Sequence, residues 1–129
     1  MASTKTTMKT TNEWTLAWSG KLVGVNRWHM KARNGRIILT SEYRQFMQEI
    51  ADSALVSGIT AFNGEVDVEL RMSVGKLADH HNYIKPILDA LQHAGVLADD
   101  RLVCDLYVPK PARHKRGEPD ALVIIIRQR

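Results

Sequence analysis

Val66, Val68, Leu70, Met72 and Val74 alternate without a break with Asp67, Glu69, Arg71 and Ser73. A period of two sends successive side chains to opposite faces, so this segment is a strand with one apolar face to cover and one face in water. Glu65, Asp67 and Glu69 share the open face and offer oxygen ligands to a metal, although carboxylates on such a face are ordinarily just hydrated. The cover has to come from elements of a different period, and two segments supply it. Tyr43, Phe46, Met47, Ile50 and Ala54 recur at helical spacing, with Thr40 or Ser41 as the cap and Ser57-Gly58 as the stop, which predicts a helix running to about Leu55. Its aromatic and methionine stripe is core rather than a cofactor box. Ile84, Ile87, Leu88 and Leu91 predict a second helix over roughly Asn82 to Ala94, ended by Gly95. Pro86 is tolerated only in a first turn, which sets the start near Asn82 or slightly later.

The remaining segments complete a sheet. Trp14 to Trp18 alternates as a first strand, broken by Gly20 to Gly24, and Asn34-Gly35 between Met30–Arg33 and Arg36–Leu39 signals a hairpin. A strand from about Leu102 to Val108, a loop from Pro109 to Gly117 and an apolar strand from Ala121 to Arg127 follow the second helix. The order strand, hairpin, helix, strand, helix, strand, strand packs most economically as an α+β domain, two helices on one small mixed sheet. The 129 residues read as a single domain over 13–129, preceded by a Thr-, Ser- and Lys-rich stretch, 1–12, expected to be a disordered tail. The lone Cys104 excludes an internal disulfide and, set among Leu102, Val103, Leu106 and Val108, reads as a packed thiol rather than a nucleophile. No apolar run approaches the roughly eighteen residues of a membrane span and no hydrophobic signal core precedes the domain, so the expectation is a soluble, cytoplasmic protein.

The formal net charge of +4 is unevenly spread. Residues 21–48 carry +5 and residues 101–129 carry +4, whereas residues 49–100, with nine acids against three bases, carry −6. An acidic middle between basic flanks suits a cation site set in a phosphate-binding surface, and suits equally an unevenly charged, hydrated surface. Within that middle, Asp79 stands just before the second helix, Lys85 in its first turn, and Asp99-Asp100 just after it. Neighbouring carboxylates repel, so their clustering beside a lysine points to a hard divalent cation of the kind that serves magnesium-dependent phosphodiester chemistry. Asp79 can hold the ion while Lys85 meets the scissile phosphate or its developing charge. Taken singly, Asp79 and Asn82 would equally cap the helix, and Asp99-Asp100 would form an exposed turn.

The spacing Asp79-x-His81-Asn82-x-x-Lys85-x-x-x-Asp89-Ala90-Leu91, then Ala94-Gly95-Val96 and Asp99-Asp100, resembles the core motif of the RusA-like Holliday-junction resolvases. That motif usually reads Asp-x-Asp-Asn-x-x-Lys, then Asp-Ala-Leu, a glycine and an Asp-Asp pair. The likeness extends upstream to Val25-Asn26-Arg27-Trp28, Asn34-Gly35-Arg36 and Leu39-Thr40, and downstream to two closing strands around a basic loop, covering roughly residues 14–127. The resemblance implies a small homodimer, often encoded by phages or prophages, that binds four-way DNA junctions and cuts two opposing strands with Mg2+ or Mn2+. It further implies that Asp79 and Asp100 are catalytic, metal-binding carboxylates, that Asp99 supports them, that Lys85 is the catalytic lysine and that Asn82 is a motif position.

His81 stands where the family usually has its second aspartate. As a neutral imidazole it would still ligate a metal, shifting preference from Mg2+ toward Mn2+, and it would also suit the role of a base that activates water. Or it leaves a weakened site, and the alternative function is a junction-binding protein that cuts weakly or not at all. Asn26, Arg27, Lys31, Arg33 and Arg36, with Asn82 and the loop residues Lys110, Arg113, Lys115 and Arg116, are candidate DNA contacts that position a duplex without reading its sequence. Trp28 is either a stacking platform for an unpaired base or part of the core, while His80, His93 and His114 are expected on the surface. A helix from Asn82 to Ala94 is about 20 Å long and Gly95 to Ala98 retraces at most about 14 Å, which raises a site shared between subunits. Antiparallel helices in a two-fold dimer would bring Asp79 of one subunit to Asp99-Asp100 of the other.

Overall fold

The computed structural model describes residues 13–129, so the expected tail over 1–12 lies outside the described residues. Strands β1 (Glu13–Gly20), β4 (Val66–Val74), β5 (Val103–Tyr107), β6 (Ala112–Arg113) and β7 (Asp120–Gln128) form one mixed sheet in which β7 lies between β1 and β4. β7 runs antiparallel to both neighbours, so that Ile124 is flanked by Leu16 on one side and Leu70 on the other. β5 and β6 both run parallel to β4 and divide its outer edge between them, β5 beside Val66–Glu69 and β6 beside Ser73–Val74. Apart from this sheet, β2 (His29–Lys31) and β3 (Ile37–Leu39) make the expected hairpin, turned where Gly35 takes φ 87°, a conformation glycine adopts without penalty.

Helices α1 (Ser41–Ser57) and α2 (Ile84–His93) cover one face of the sheet, the α+β arrangement that the periodicities predict. α1 starts because the Thr40 hydroxyl accepts the Tyr43 N–H at 3.3 Å, and it stops at Gly58 with φ 70°. Val66, Val68, Leu70, Met72 and Val74 of β4 and Leu122, Ile124 and Ile126 of β7 are buried against Tyr43, Phe46 and Ile50 of α1 and Ile87 and Leu91 of α2. Each such side chain contributes about 1.5–3 kcal/mol of transfer free energy. The Tyr43 hydroxyl joins the two helices by donating to the Pro86 carbonyl at 2.7 Å. Trp28 is half-buried, its ring edge-on to Tyr43 at 5.6 Å and stacked on His29 at 4.3 Å, which favours the core reading over the stacking platform.

Several expectations change in the details. The open face of β4 is ion-paired rather than merely hydrated: Glu69 is buried between Arg71 and Arg127, and Asp67 pairs with Arg129 at 2.9 Å. Arginine partners hold the Glu69 carboxyl below its usual pKa and occupy the oxygens a metal would need. Cys104 is exposed, not packed, because β5 is a short edge strand whose residues have no cover on that side. Partial desolvation of the sulfur by its neighbours and then the Glu65 carboxylate push its pKa up, so it stays a thiol and is not an activated nucleophile. A single 3-10 turn, Asp100–Leu102, delays β5 to Val103. No helix among the described residues is long and apolar enough to cross a membrane.

Candidate active site

Pro86 organises the site. An α-helix extended back through Asn82 would set the Pro86 ring against the Asn82 carbonyl and leave that carbonyl without a donor. The chain instead forms a 3-10 helix, Leu77–Tyr83, and α2 begins only at Ile84. The predicted start, near Asn82 or slightly later, falls at Ile84, and Asp79 and Asn82 lie within a 3-10 helix rather than capping an α-helix. Freed in this way, the Asn82 carbonyl accepts the Val25 N–H at 2.9 Å. Gly24 makes the approach possible: a Cβ there would stand 3.3 Å from the Asn82 Cβ. The Arg27 N–H then closes a turn on the Gly24 carbonyl at 2.9 Å, while the Thr40 hydroxyl donates to the Arg27 carbonyl at 2.7 Å.

These contacts shape a groove of about 440 Å³. Asp79, Asn82 and Tyr83 from the 3-10 helix, Asn26 and Arg27 from the turn after β1, and Gly75, Lys76 and Asp120 are among its lining. Three residues proposed from sequence, Asn26, Arg27 and Asn82, thus share one concavity with Asp79. Burial, followed by the Asp120 and Asp79 carboxylates, pushes the Tyr83 hydroxyl above its usual pKa, so it is a donor in the groove and not a base.

Lys85, Asp89 and Asp100 form a second cluster. The Lys85 ammonium lies 2.9 Å from Asp100 Oδ2 and 3.2 Å from Asp89 Oδ1, and the Asp100 N–H donates to Gln92 Oε1 at 3.2 Å. Hydrogen bonds donated to Asp100 and then Asp89 raise the Lys85 pKa, so this lysine is a fixed cation, suited to stabilising charge and unsuited to taking a proton. Asp99 caps the 3-10 turn by accepting the Arg101 N–H at 2.9 Å, and the Arg101 guanidinium holds its pKa down at about 2.

Within one protomer these two clusters stay apart. Lys85, Asp89, Asp99 and Asp100 do not line the groove that holds Asp79, and among the described residues no three His, Cys, Asp or Glu side chains stand close enough to cage an ion. His81 is exposed with its ring against His80 at 3.9 Å, and the His80 Nδ1 meets the Leu77 carbonyl at 3.0 Å. Lys31, Arg33 and Arg36 on the hairpin and Lys110, Arg113, Lys115 and Arg116 on the loop are all exposed. Among the described residues neither they nor Arg27 form an ion pair, in contrast to Arg71, Arg101, Arg127 and Arg129. Bases left without internal carboxylates suit a surface that meets phosphates.

Sequence reasoning missed Asp120, Lys76 and Tyr83 in the groove, and it placed His114 on the surface. His114 is half-buried, its Nε2 2.6 Å from Asp120 Oδ1, and that carboxylate raises its pKa. No spacing rule links residue 120 to residue 79; the strand order that sets β7 beside β4 does so.

Comparison with known proteins agrees with the motif. The family model described as Endodeoxyribonuclease RusA matches residues 19–126. Among curated proteins none matches the chain.

Proposed function

The chain belongs to the RusA endodeoxyribonuclease family, which resolves Holliday junctions, and from this premise we propose that it is a divalent-metal-dependent, structure-selective endonuclease acting on four-way junctions as a homodimer. The observation that carries the reading is the groove: an aspartate, Asp79, set among Asn26, Arg27, Asn82 and Lys76, in a domain whose hairpin and loop bases are exposed and form no ion pair among the described residues. Phosphates are held by the bases, and the carboxylate is the one strongly repelled by DNA unless a cation intervenes. Mg2+ or Mn2+ would supply charge neutralisation at the scissile phosphate and activation of the attacking water. Among the described residues one protomer does not by itself assemble three ligands, so Asp79 would need carboxylates from elsewhere, and the Asp99-Asp100 turn of a second copy is the proposed source.

In this reading Arg27, Lys76 and Asn26 orient the backbone near Asp79, and Lys85 stabilises developing charge from its place between Asp89 and Asp100. Incubating the protein with a synthetic four-way junction and Mg2+ or Mn2+ tests the proposal. Nicked duplex products are expected; a gel shift with no product in either metal indicates the junction-binding alternative.

His81 decides between these two. Its exposed ring would bring an imidazole where an acidic side chain would add charge and a hard oxygen ligand. His81→Asp is expected to raise the cutting rate in Mg2+ by roughly tenfold or more, judged against the 10–100-fold that perturbing a metal site costs. An inactive His81→Asp protein beside an active parent would assign histidine a positive role and discard the weakened-site reading.

The loop is tested by charge. Lys115→Ala with Arg116→Ala is expected to weaken binding to all DNA and to flatten the slope of log affinity against log salt by about one unit per lost contact. An unchanged slope would remove the loop from the interface.

A further inference from the structure

The exposed loop between β5 and β7 gathers Lys110, Arg113, Lys115 and Arg116, which repel one another and find no carboxylate partner among the described residues. Its backbone is tied by the two-residue β6 pairing with β4, by His114 N–H to the Val74 carbonyl at 3.1 Å, and by a turn in which the Lys115 N–H donates to Glu118 at 2.7 Å. One ionisable side chain of the loop points inward. The His114 ring, its side chain 13% exposed, packs over Gly75, where an added Cβ would stand 3.5 Å from its Cε1.

Both ring nitrogens are engaged. Nδ1 lies 2.9 Å from the Lys115 carbonyl and Nε2 lies 2.6 Å from Asp120 Oδ1. A carbonyl only accepts, so Nδ1 is the donor to Lys115, and the Asp120 carboxylate at Nε2, then the Lys115 carbonyl, favour the protonated ring. Asp120 uses its other oxygen to accept the Leu22 N–H at 3.0 Å, at the head of the segment that carries Gly24, Asn26 and Arg27 into the groove. A single carboxylate therefore joins the basic loop, the start of β7 and the wall of the Asp79 groove. The charged side chains around it are Glu118 from the loop and Lys21, Arg27, Lys76 and Asp79 from the groove.

We propose that the His114–Asp120 pair is a positioning clamp that fixes the basic loop against the Asp79 groove, so that Arg113, Lys115 and Arg116 engage the DNA phosphates in register with Asn26 and Arg27. Neither residue touches the reacting atoms; each acts through the loop. The clamp rests on the reading of this loop as a DNA contact. Without it, like-charge repulsion spreads the loop and its bases meet DNA singly rather than together.

The test compares His114→Ala, Asp120→Asn and the parent, alongside Lys115→Ala with Arg116→Ala. Four-way-junction binding is measured across a salt series, nicking at saturating DNA, and the rate of trypsin cleavage within residues 110–117 of the free protein. For each clamp variant the expected result is roughly tenfold weaker binding, a salt slope shallower by about two units, and faster trypsin cleavage. Nicking at saturation is expected to be unchanged for His114→Ala, whose ring lies outside the groove lining, and is not used as a control for Asp120→Asn, whose carboxylate lines the groove. The double variant His114→Ala with Asp120→Asn is expected to be no weaker than either single, because the pair acts as one unit. A clamp variant that folds and binds with parental affinity and slope overturns the proposal, even if trypsin cuts it faster. If the Lys115→Ala, Arg116→Ala slope falls while those of the clamp variants do not, the clamp alone fails. If none of the slopes changes, the DNA reading of the loop fails and the clamp with it. Should His114→Ala not fold, Asp120→Asn, which keeps the side chain's shape, decides on the same readouts.

Discussion

Asp79→Asn protein is expected to bind a four-way junction as tightly as the parent, or tighter, and not to cut it. The groove places this carboxylate among Asn26, Arg27, Asn82 and Lys76, where DNA phosphates would come closest. Replacing a carboxylate by an isosteric amide deletes one negative charge facing the backbone, which favours binding, and deletes an anionic cation ligand, which removes chemistry. The loss in cutting should exceed the roughly 10–100-fold that disturbing the surroundings of a metal ligand costs. Asp100→Asn is expected to behave likewise for cutting. It also strips Lys85 of its 2.9 Å partner, leaving Asp89 at 3.2 Å to hold the ammonium. Gel shifts and nicking assays on the same preparations, with melting curves to exclude unfolding, check both variants. Loss of binding by folded Asp79→Asn protein would mean that the residue grips DNA or shapes the groove, and that the cation belongs elsewhere.

What the sequence made legible was the part governed by local period and local chemistry. Alternation over Val66–Val74 and the stripe Tyr43, Phe46, Met47, Ile50, Ala54 translate directly into β4 and α1, and Thr40 and Gly58 cap α1 as their side-chain chemistry requires. The motif spacing of Asp79, Asn82, Lys85 and Asp99-Asp100 led to the family that the matching model over 19–126 also gives. Non-local placement was not legible. Asp120 reaches the groove because β7 inserts between β1 and β4, and Glu69 is buried because Arg127, a partner fifty-eight residues away, lies on that inserted strand. The helix start was readable from Pro86, which forbids a helical hydrogen bond to Asn82; that this lends the Asn82 carbonyl to Val25 was not. Cys104 misled because an apolar neighbourhood in sequence says nothing about whether a strand lies at an edge.

Mixing Asp79→Asn protein with Asp100→Asn protein, each inactive alone, is expected to restore nicking. The reason lies in how one protomer separates the two carboxylates. α2 has ten residues, Ile84–His93, and so is about 15 Å long; Asp79 sits in the groove before it, while Asp100 is held beyond it by Gln92 and Lys85. No three-ligand group closes within the chain among its described residues. Two copies related by a two-fold axis, with α2 helices antiparallel, would bring each Asp79 to the other copy's Asp99-Asp100 and yield two equivalent sites, matching the symmetry of paired cuts in opposing strands. In a heterodimer of the two variants, one such site would then carry both substitutions and the other neither. Random exchange of an equal mixture makes about half of the dimers heterodimers with one intact site each, so nicking should recover to about a quarter of the parental site concentration, as single nicks rather than paired cuts. Exchange is verified with differently tagged subunits. Complete inactivity in a mixture with proven heterodimers would show that each protomer builds its site alone, and the Asp79 groove and the Lys85–Asp100 cluster would have to close on each other within one chain when metal and DNA bind.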